Sequence, residues 1–159
     1  MRSKIKTNAM RKLDEAGVAY EVRKYDVEDG AIDGLSVARK LSESPDRLFK
    51  TLVTWGGGRN FFVFVIPVNR ELDLKAAARA VGVKSVEMVH VQDILPITGY
   101  IRGGCSPLGM KKAFPTVLDS TALEKDSILV SGGKIGYQIV LAPRDLIALI
   151  GASTGAITR

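Results

Sequence analysis

The residues with the clearest chemical potential lie in one glycine-rich segment, Gly103-Gly104-Cys105-Ser106-Pro107-Leu108-Gly109. Its two adjacent glycines expose backbone N–H groups, and Pro107 stiffens the exit, so the segment can form a rigid concavity of hydrogen-bond donors. Arg102, Lys111 and Lys112 add positive charge around it. The pattern indicates a site for an anion or a carbonyl oxygen, although an irregular turn without a ligand would have the same composition.

Three other segments combine glycine or lysine with predicted strands. Ser131-Gly132-Gly133-Lys134 lacks the G-x-x-x-x-G-K-[ST] spacing of a P-loop, and no helix follows it. Gly56-Gly57-Gly58 is typical of a flexible hairpin loop. Lys50 opens an apolar strand, where a lysine is either solvated or, if it points into a pocket, suited to a phosphate or a developing oxyanion.

The scarcity of His and Cys excludes several kinds of site. The chain holds one His, His90, and one Cys, Cys105, whereas a structural zinc site takes about four such ligands and a disulfide takes two thiols. A nucleophilic triad would need His90, which lies in a different segment from Cys105, and no G-x-S-x-G elbow occurs. We therefore expect no metal, no cofactor and no protein nucleophile, with Cys105 serving as a small apolar residue.

Length and charge narrow the class of protein. The 159 residues are 46% hydrophobic and 25% charged, and we expect residues 1–159 to form one domain. The net charge of +6 favours a phosphate-bearing partner, although a basic surface kept for solubility would give the same count. The N-terminal segment lacks the apolar stretch of a signal peptide, and the longest apolar run, 61–68, is too short for a bilayer. These features predict a soluble, cytoplasmic protein without a membrane partner.

Hydrophobic periodicity places these candidates among short helices and strands. Helices bounded by capping residues, glycine or proline are predicted over 7–16, around 37–41, over 74–81 and over 143–150. Strands are predicted over 18–23, 48–55, 60–67, 86–89, 116–118, 127–130 and 136–141, with hairpins joining 48–55 to 60–67 and 127–130 to 136–141. Residues 92–95 should form a single turn before Pro96, and residues 98–112 should be irregular.

The order of these elements predicts the fold class. Strands connected by hairpins, with helices scattered among them, favour α+β over a parallel α/β architecture. The strand 60–67 contains FFVFVI, apolar on both faces, and should be central and covered on both sides. We therefore expect a single α+β domain in which a mixed, curled β-sheet, shaped as a partial barrel, is surrounded by helices.

Six short motifs are distributed along the chain. They are F-K-T-L at 49–52, L-D-L-K at 72–75, V-E-M at 86–88, T-G-Y at 98–100, G-G-C-S-P-L-G at 103–109 and V-S-G-G-K-I-G at 130–136. The set resembles the YbaK-type aminoacyl-tRNA deacylases, which are homologous to the editing insertion of bacterial prolyl-tRNA synthetase. The resemblance covers about residues 12–150. The string G-G-x-S-P-L-G-x-K-K, with F-K-T-L upstream and S-G-G-K-x-G downstream, is specific, and it favours the bacterial Cys-tRNA(Pro) deacylase branch.

The resemblance implies trans-editing of mischarged tRNA, in which cysteine is removed from Cys-tRNA(Pro) and, as a second substrate, from Cys-tRNA(Cys). Prolyl-tRNA synthetase makes the error because cysteine and proline have similar volumes, and a pocket discriminates poorly between near-isosteres. The implied partners are the aminoacylated 3′ end of the tRNA and prolyl-tRNA synthetase. The implied fold is a mixed, curled sheet decorated by helices.

The resemblance also implies roles for individual residues. Lys50 would hold the 3′-terminal adenosine or its phosphate, and it would form the catalytic set with Gly103, Gly104 and Ser106, whose loop faces the ester and directs backbone N–H groups at the carbonyl oxygen. The substrate pocket would be completed by Tyr25, Pro107, Ser131, Gly132 and Gly133.

Two departures from the family pattern bear on the mechanism. Cys105 takes a place usually held by an aliphatic residue, which favours a packing role, and Gln138 lies where some members carry an acid, which weakens any claim for a protein carboxylate. The resemblance suggests instead that the substrate's own thiol attacks its ester to give a thiolactone, because a thiol with a pKa of about 8.5 is partly ionised at neutral pH and strongly nucleophilic. Two alternatives stay open: a deacylase of Ala-tRNA(Pro) or Ser-charged tRNA that activates water, and a non-catalytic module that binds nucleotides or charged tRNA.

Overall fold

The fold consists of five α-helices and eight strands within residues 5–159, the part of the chain that this computed structural model describes. Residues 1–4, which belong to the N-terminal segment analysed for a signal peptide, lie outside the described residues. In chain order the elements are α1 (Asn8–Ala16), β1 (Glu21–Lys24), α2 (Gly34–Lys40), β2 (Phe49–Trp55), β3 (Phe61–Pro67), α3 (Leu74–Val81), β4 (Glu87–Met88), α4 (Val91–Thr98), β5 (Thr116–Asp119), β6 (Ile128–Ser131), β7 (Tyr137–Leu141), α5 (Pro143–Ile150) and β8 (Ser153–Gly155).

Local sequence signals set the ends of the helices. Thr7 caps α1 by accepting a hydrogen bond from the Met10 N–H at 3.1 Å, and Gly17 ends the helix in the left-handed conformation. Asp73 caps α3 in the same way, and Pro143 occupies the first position of α5, where its missing N–H costs no helical bond. The helices predicted over 7–16, 74–81 and 143–150 are therefore confirmed to within one residue.

The strands form two sheets that meet at one point. β1, β7 and β6 make an antiparallel sheet in the order β1-β7-β6, and the other strands make a mixed sheet in the order β4-β2-β3-β5-β8, in which the pairs β3–β5 and β5–β8 are parallel. A single parallel bridge between Leu48 and Leu129 joins the sheets. The predicted α+β class with mixed strand pairing and both hairpins are confirmed, and the sheets stay open rather than closing into a barrel.

β3 lies at the centre of the five-stranded sheet, as its apolar sequence predicts. On one face Val63 and Val65 pack into a core with Leu13 of α1. On the other face Phe64 and Ile66 pack into a second core under α3. The strand is covered on both faces. It pairs along its whole length with β2, which contributes residues to the cleft described below.

Three elements differ from the sequence-based prediction. α4 runs through Pro96 to Thr98, because a two-turn helix loses only one backbone bond to the proline and ends on the bond from the Gly99 N–H to the Leu95 carbonyl. β1 begins only at Glu21, since the Val18 N–H is already donated to the end of α1. β8 was not predicted, because its short sequence, STG, carries no strand pattern. Within residues 5–159, no helix has the length and apolar character needed to cross a membrane.

Candidate active site

A cleft with a volume of about 740 Å³ opens beside the junction of the two sheets. That volume is in the range of small-molecule sites. Residues of β2 from the mixed sheet and of β6 and β7 from the antiparallel sheet contribute to its wall, together with the segment that leads into α2 and the glycine-rich loop after α4. The polar and glycine residues of the lining are Tyr25, Gly30, Asp33, Gly34, Lys50, Thr51, Arg102, Gly103, Cys105, Ser131 and Gln138, and its apolar part includes Ile32, Leu48, Phe49 and Val68.

Lys50 supplies a half-buried positive charge to this cleft. It is the second residue of β2 and lies opposite Ile66 of β3. Burial lowers the pKa of its ammonium group, and the negative charge of Glu71 opposes that shift. Among the described residues no carboxylate forms an ion pair with Lys50. The cleft therefore contains a partly desolvated cation that is suited to an anionic ligand.

The loop after α4 reaches the cleft through Gly103 and Cys105. Gly103 has φ of +85°, and a Cβ built on it would lie 3.0 Å from Cδ1 of Ile32, so glycine allows both the turn and the close approach. Within residues 5–159 the backbone N–H groups of Gly103 and Cys105 donate to no protein acceptor, whereas the Gly104 N–H donates to the Ile101 carbonyl at 3.0 Å. The loop thus offers hydrogen-bond donors at the wall of the cleft, as an oxyanion site requires.

Five of the residues predicted for the site do not line the cleft, and most of them take part in the packing or hydrogen bonding of the two glycine-rich loops. A Cβ on Gly104 would lie 3.2 Å from the backbone nitrogen of Ile135 in the other loop. Ser106 is fully buried, and its Oγ accepts a hydrogen bond from the Leu108 N–H. The remaining three are Pro107, which borders a separate cavity, Gly132, whose N–H donates to the Tyr137 carbonyl at 2.8 Å, and Gly133, whose N–H donates to Oγ of Ser131 at 3.2 Å.

Of the predicted set, the structure brings Lys50, Gly103, Tyr25 and Ser131 together around the cleft. Cys105 joins them, but its thiol is held in the neutral form: burial raises its pKa to about 11, and a hydrogen bond with the Thr98 side chain opposes the shift. A neutral thiol is a poor nucleophile. That Cys105 takes no covalent part in a reaction stays a prediction.

Two polar residues of the cleft, Thr51 and Gln138, are not among the predicted site residues. Both side chains carry a buried oxygen that has no hydrogen-bond partner within residues 5–159, Oγ1 of Thr51 and Oε1 of Gln138. A signal was available for Gln138, because it is the one amide in the otherwise apolar run Gln138-Ile139-Val140-Leu141. Among residues 5–159, no group of three or more His, Cys, Asp or Glu side chains is placed to hold a metal ion.

The fold of this chain recurs in solved structures. It superposes with a TM-score of 0.85 on a structure provisionally described as a trans-editing enzyme for prolyl-tRNA synthetase, at 22% identity over 98% of this chain and 99% of that one. It superposes with a TM-score of 0.87 on a hypothetical protein, at 19% identity over 96% of this chain and 99% of that one. At these identities the likeness is one of fold.

Sequence comparison defines the class of protein. The family model for the aminoacyl-tRNA editing domain matches residues 34–149, and the chain belongs to that family. It is similar to the Enterococcus faecalis (strain ATCC 700802 / V583) protein EbsC, provisionally named a Cys-tRNA(Pro)/Cys-tRNA(Cys) deacylase, with 47% identity over 153 residues that cover 96% of this chain and 93% of the relative. The resemblance to the YbaK-type deacylases is thereby confirmed.

Proposed function

We propose that this protein is a trans-editing deacylase that removes cysteine from mischarged Cys-tRNA(Pro), with Cys-tRNA(Cys) as a second substrate. One observation carries the proposal: the cleft combines a cation without an ion-pair partner and backbone N–H groups without a protein acceptor with a thiol that is neutral, and its described lining contains no histidine. Such a site can bind and polarise an ester but needs the reacting group from the substrate. The name of EbsC, at 47% identity, supports the same substrate.

In the proposed reaction the substrate supplies its own nucleophile. The thiolate sulfur of the cysteinyl group attacks the ester carbonyl carbon, a C–S bond forms, and the negative charge moves to the carbonyl oxygen. The N–H groups of Gly103 and Cys105 donate to that oxygen. Collapse of the intermediate breaks the C–O bond, and the 3′ oxygen of the tRNA leaves and takes up a proton. The products are free tRNA and a thiolactone, which water then opens.

Binding of the tRNA end would use the charges of the cleft. Lys50 is suited to the terminal phosphate, because its half-buried ammonium group forms no ion pair with a carboxylate among the described residues. Arg102 adds a second cation at the cleft wall, and Tyr25 and Ser131 border the space for the nucleoside and the aminoacyl group. Gly104, Ser106, Pro107, Gly132 and Gly133 would act by holding the two loops in place.

The wider setting follows from the substrate. We infer that one domain, residues 1–159, carries the activity, and that it acts in the cytoplasm. We also infer that prolyl-tRNA synthetase is a docking partner, since that enzyme makes the error and releases the mischarged tRNA. Association of the two proteins, measured by light scattering with and without tRNA(Pro), tests that inference separately from the catalytic one.

A panel of Cys-, Ala- and Ser-charged tRNA(Pro) tests the activity. Serine is nearly isosteric with cysteine and alanine is smaller, so a pocket alone would separate the three by only about 10–200-fold. Because neither analogue has an ionisable thiol, we expect Cys-tRNA(Pro) to be cleaved faster by more than that range, with a thiolactone trapped by hydroxylamine. Equal rates would show a deacylase that activates water, and binding without turnover would show a non-catalytic module.

A further inference from the structure

One wall of the cleft is built by a segment that has neither helix nor strand. This segment, residues 26–32, joins β1 to α2 and contributes Gly30 and Ile32 to the lining. Ile32 lies against the first glycine-rich loop, where a Cβ built on Gly103 would be 3.0 Å from its Cδ1. The segment therefore borders the backbone N–H of Gly103, one of the donors assigned to the carbonyl oxygen of the ester.

The ammonium group of Lys40, the last residue of α2, holds this segment. Its Nζ donates to the Asp26 carbonyl at 2.7 Å, to Oδ1 of Asp29 at 2.7 Å and to the Ala31 carbonyl at 2.9 Å. An ammonium group has three donors, so these acceptors use all of them. One side chain thus fixes the segment at three points along its length.

The segment has few other attachments to the fold. Among residues 5–159, no group other than the Lys40 ammonium forms a hydrogen bond with residues 26–32 from outside the segment. Its remaining hydrogen bonds are internal and join the Glu28 N–H to Oδ1 of Asp26, the Gly30 N–H to the Val27 carbonyl, and the Ala31 N–H to Oδ1 of Asp29. An exposed segment with so few bonds opens at low cost, so its order depends on Lys40 and on the apolar contacts of Val27 and Ile32.

We propose that Lys40 is a positioning residue of the cleft, whose ammonium group keeps residues 26–32 in the conformation that receives the aminoacyl end of the tRNA. Without that group the segment samples other conformations, and the substrate has to order it on binding. The apparent affinity of a site falls in proportion to the fraction of molecules in the binding-competent form. Binding should therefore weaken, whereas the chemical step in the bound complex should change little. This proposal rests on the proposed function, since it concerns the same cleft.

The test uses one variant that removes the ammonium group and two that serve as comparisons. Lys40→Met removes all three hydrogen bonds and keeps most of the side-chain length. Asp29→Asn removes a charge but keeps an oxygen that can accept from Lys40. Lys125→Met is the matched control, because the Lys125 side chain is 28% exposed against 19% for Lys40 and pairs with Asp46 at 3.1 Å, outside the segment and the cleft.

Three quantities are measured for each protein. They are kcat and KM on Cys-tRNA(Pro), the Kd for its non-hydrolysable 3′-amide analogue, and the rate at which a glutamate-specific protease cuts after Glu28 in the absence of tRNA. The protease measures the opening of the segment directly, and its cuts after other glutamates report on opening elsewhere.

For Lys40→Met we expect KM and Kd to rise about 10-fold to 100-fold, as for the loss of hydrogen bonds from a charged group, with kcat within about 3-fold of the wild type. Cleavage after Glu28 should become at least about 10-fold faster and cleavage after other glutamates should not change. Asp29→Asn should raise KM by less than about 5-fold, because both carbonyl bonds of Lys40 remain. Lys125→Met should match the wild type in KM, Kd and cleavage after Glu28.

Unchanged KM and Kd would overturn the proposal, because substrate binding would then not need the segment as Lys40 holds it. Unchanged cleavage after Glu28, or equally faster cleavage after every glutamate, would also overturn it, since Lys40 would then have no local effect or only a global one. If Lys40→Met does not fold, Lys40→Arg makes the same comparisons, because a planar guanidinium group cannot direct its donors at all three oxygens. A wild-type enzyme that leaves Cys-tRNA(Pro) intact would refute the proposed function instead, and the protease rates and the Kd would still test the role of Lys40.

Discussion

Lys50 is the single residue on which the proposed activity depends most. Its ammonium group is half-buried, and burial lowers its pKa from the ordinary value of a lysine. An ammonium group in this state has given up part of its hydration and gains much from a phosphate. The same residue would be a poor contributor to folding stability, because no carboxylate within the described residues pairs with it.

We expect Lys50→Ala to lower kcat/KM for Cys-tRNA(Pro) by at least about 30-fold, since removing one partner of a desolvated charge pair costs about 2–5 kcal/mol. The melting temperature should change little or rise. Lys84→Ala, at an exposed position outside the cleft, is the control and should keep both properties. Near-normal turnover by a folded Lys50→Ala variant would remove Lys50 from the site.

Cys105 is the second residue for which the structure gives a specific expectation. With a pKa of about 11, its thiol is ionised in about one molecule in 3,000 at pH 7.5. We expect Cys105→Ala to keep kcat/KM for Cys-tRNA(Pro) within a few-fold of the wild type, and iodoacetamide to modify Cys105 appreciably only as the pH approaches 11. Mass spectrometry checks the second point. An aminoacyl adduct on Cys105, or loss of turnover in a folded variant, would contradict the substrate-assisted mechanism.

At the scale of elements, the two glycine-rich loops work as a pair. Gly104 of the first loop packs on the Lys134–Ile135 backbone of the second. Gly133 of the second loop lies so close to Tyr100, just before the first loop, that a Cβ built on Gly133 would be 3.0 Å from Cε1 of the ring. The first loop also packs against the start of α1, where Gly109 lies next to the backbone of Asn8 and Ala9. Most of the glycines in these motifs therefore serve close packing between segments, and Gly103 is the one that directly borders the cleft.

Gly109 offers a sharp test of this packing. It has φ of +72°, and a Cβ there would lie 2.7 Å from the carbonyl carbon of Asn8. Gly82, with φ of +73°, has no atom within 4 Å of the same position, so Gly82→Ala measures the backbone strain alone. We expect Gly82→Ala to destabilise the protein by about 1–2 kcal/mol and Gly109→Ala by about 1–3 kcal/mol more, because overpacking adds to the strain. Urea unfolding checks both values, and equal losses would show that the loop is free of α1.

At the scale of the whole molecule, Glu43 ties together segments of both sheets. Its carboxylate pairs with Arg23 of β1 at 2.9 Å and with Arg47, just before β2, at 2.5 Å. Arg47 also donates to the Ser127 carbonyl at 3.1 Å, at the approach to β6. Burial alone would raise the pKa of Glu43, but the hydrogen bonds from the two guanidinium groups outweigh it and hold the pKa below its ordinary value of 4.5.

This shift predicts how global stability depends on pH. A carboxylate with a depressed pKa in the folded state stabilises the protein above its unfolded pKa, and the contribution disappears as the pH falls through the folded pKa. At pH 7 we expect Glu43→Gln to lower the free energy of unfolding by about 1–3 kcal/mol. The difference from the wild type should shrink as the pH is lowered below 4.5 and vanish at still lower pH. A difference that is the same at pH 7 and pH 3 would refute the assigned ion pairs.

The sequence by itself determined the elements whose signals are local. Thr7 and Asp73 mark helix starts, Gly17 and Gly82 mark helix ends, and the β2–β3 hairpin follows from two apolar runs with a glycine turn between them. Caps and periodicity involve residues a few positions apart, so they can be detected without the fold. The motifs also identified the family, because their residue types and their order along the chain are distinctive and can be recognised without a structure.

Only the tertiary structure decided which motif residues face the cleft. Gly103 borders it and Gly104 does not, because Gly104 is turned onto the backbone of Ile135, 31 positions away in the chain. Other features also depend on residues that are far apart in the chain. They are the unpartnered oxygen of Gln138, the parallel pairing of β8 with β5, and the bridge between the sheets at Leu48 and Leu129. Such contacts form only when the whole chain packs, since a side chain's partners across two sheets are set by the burial of all the strands together.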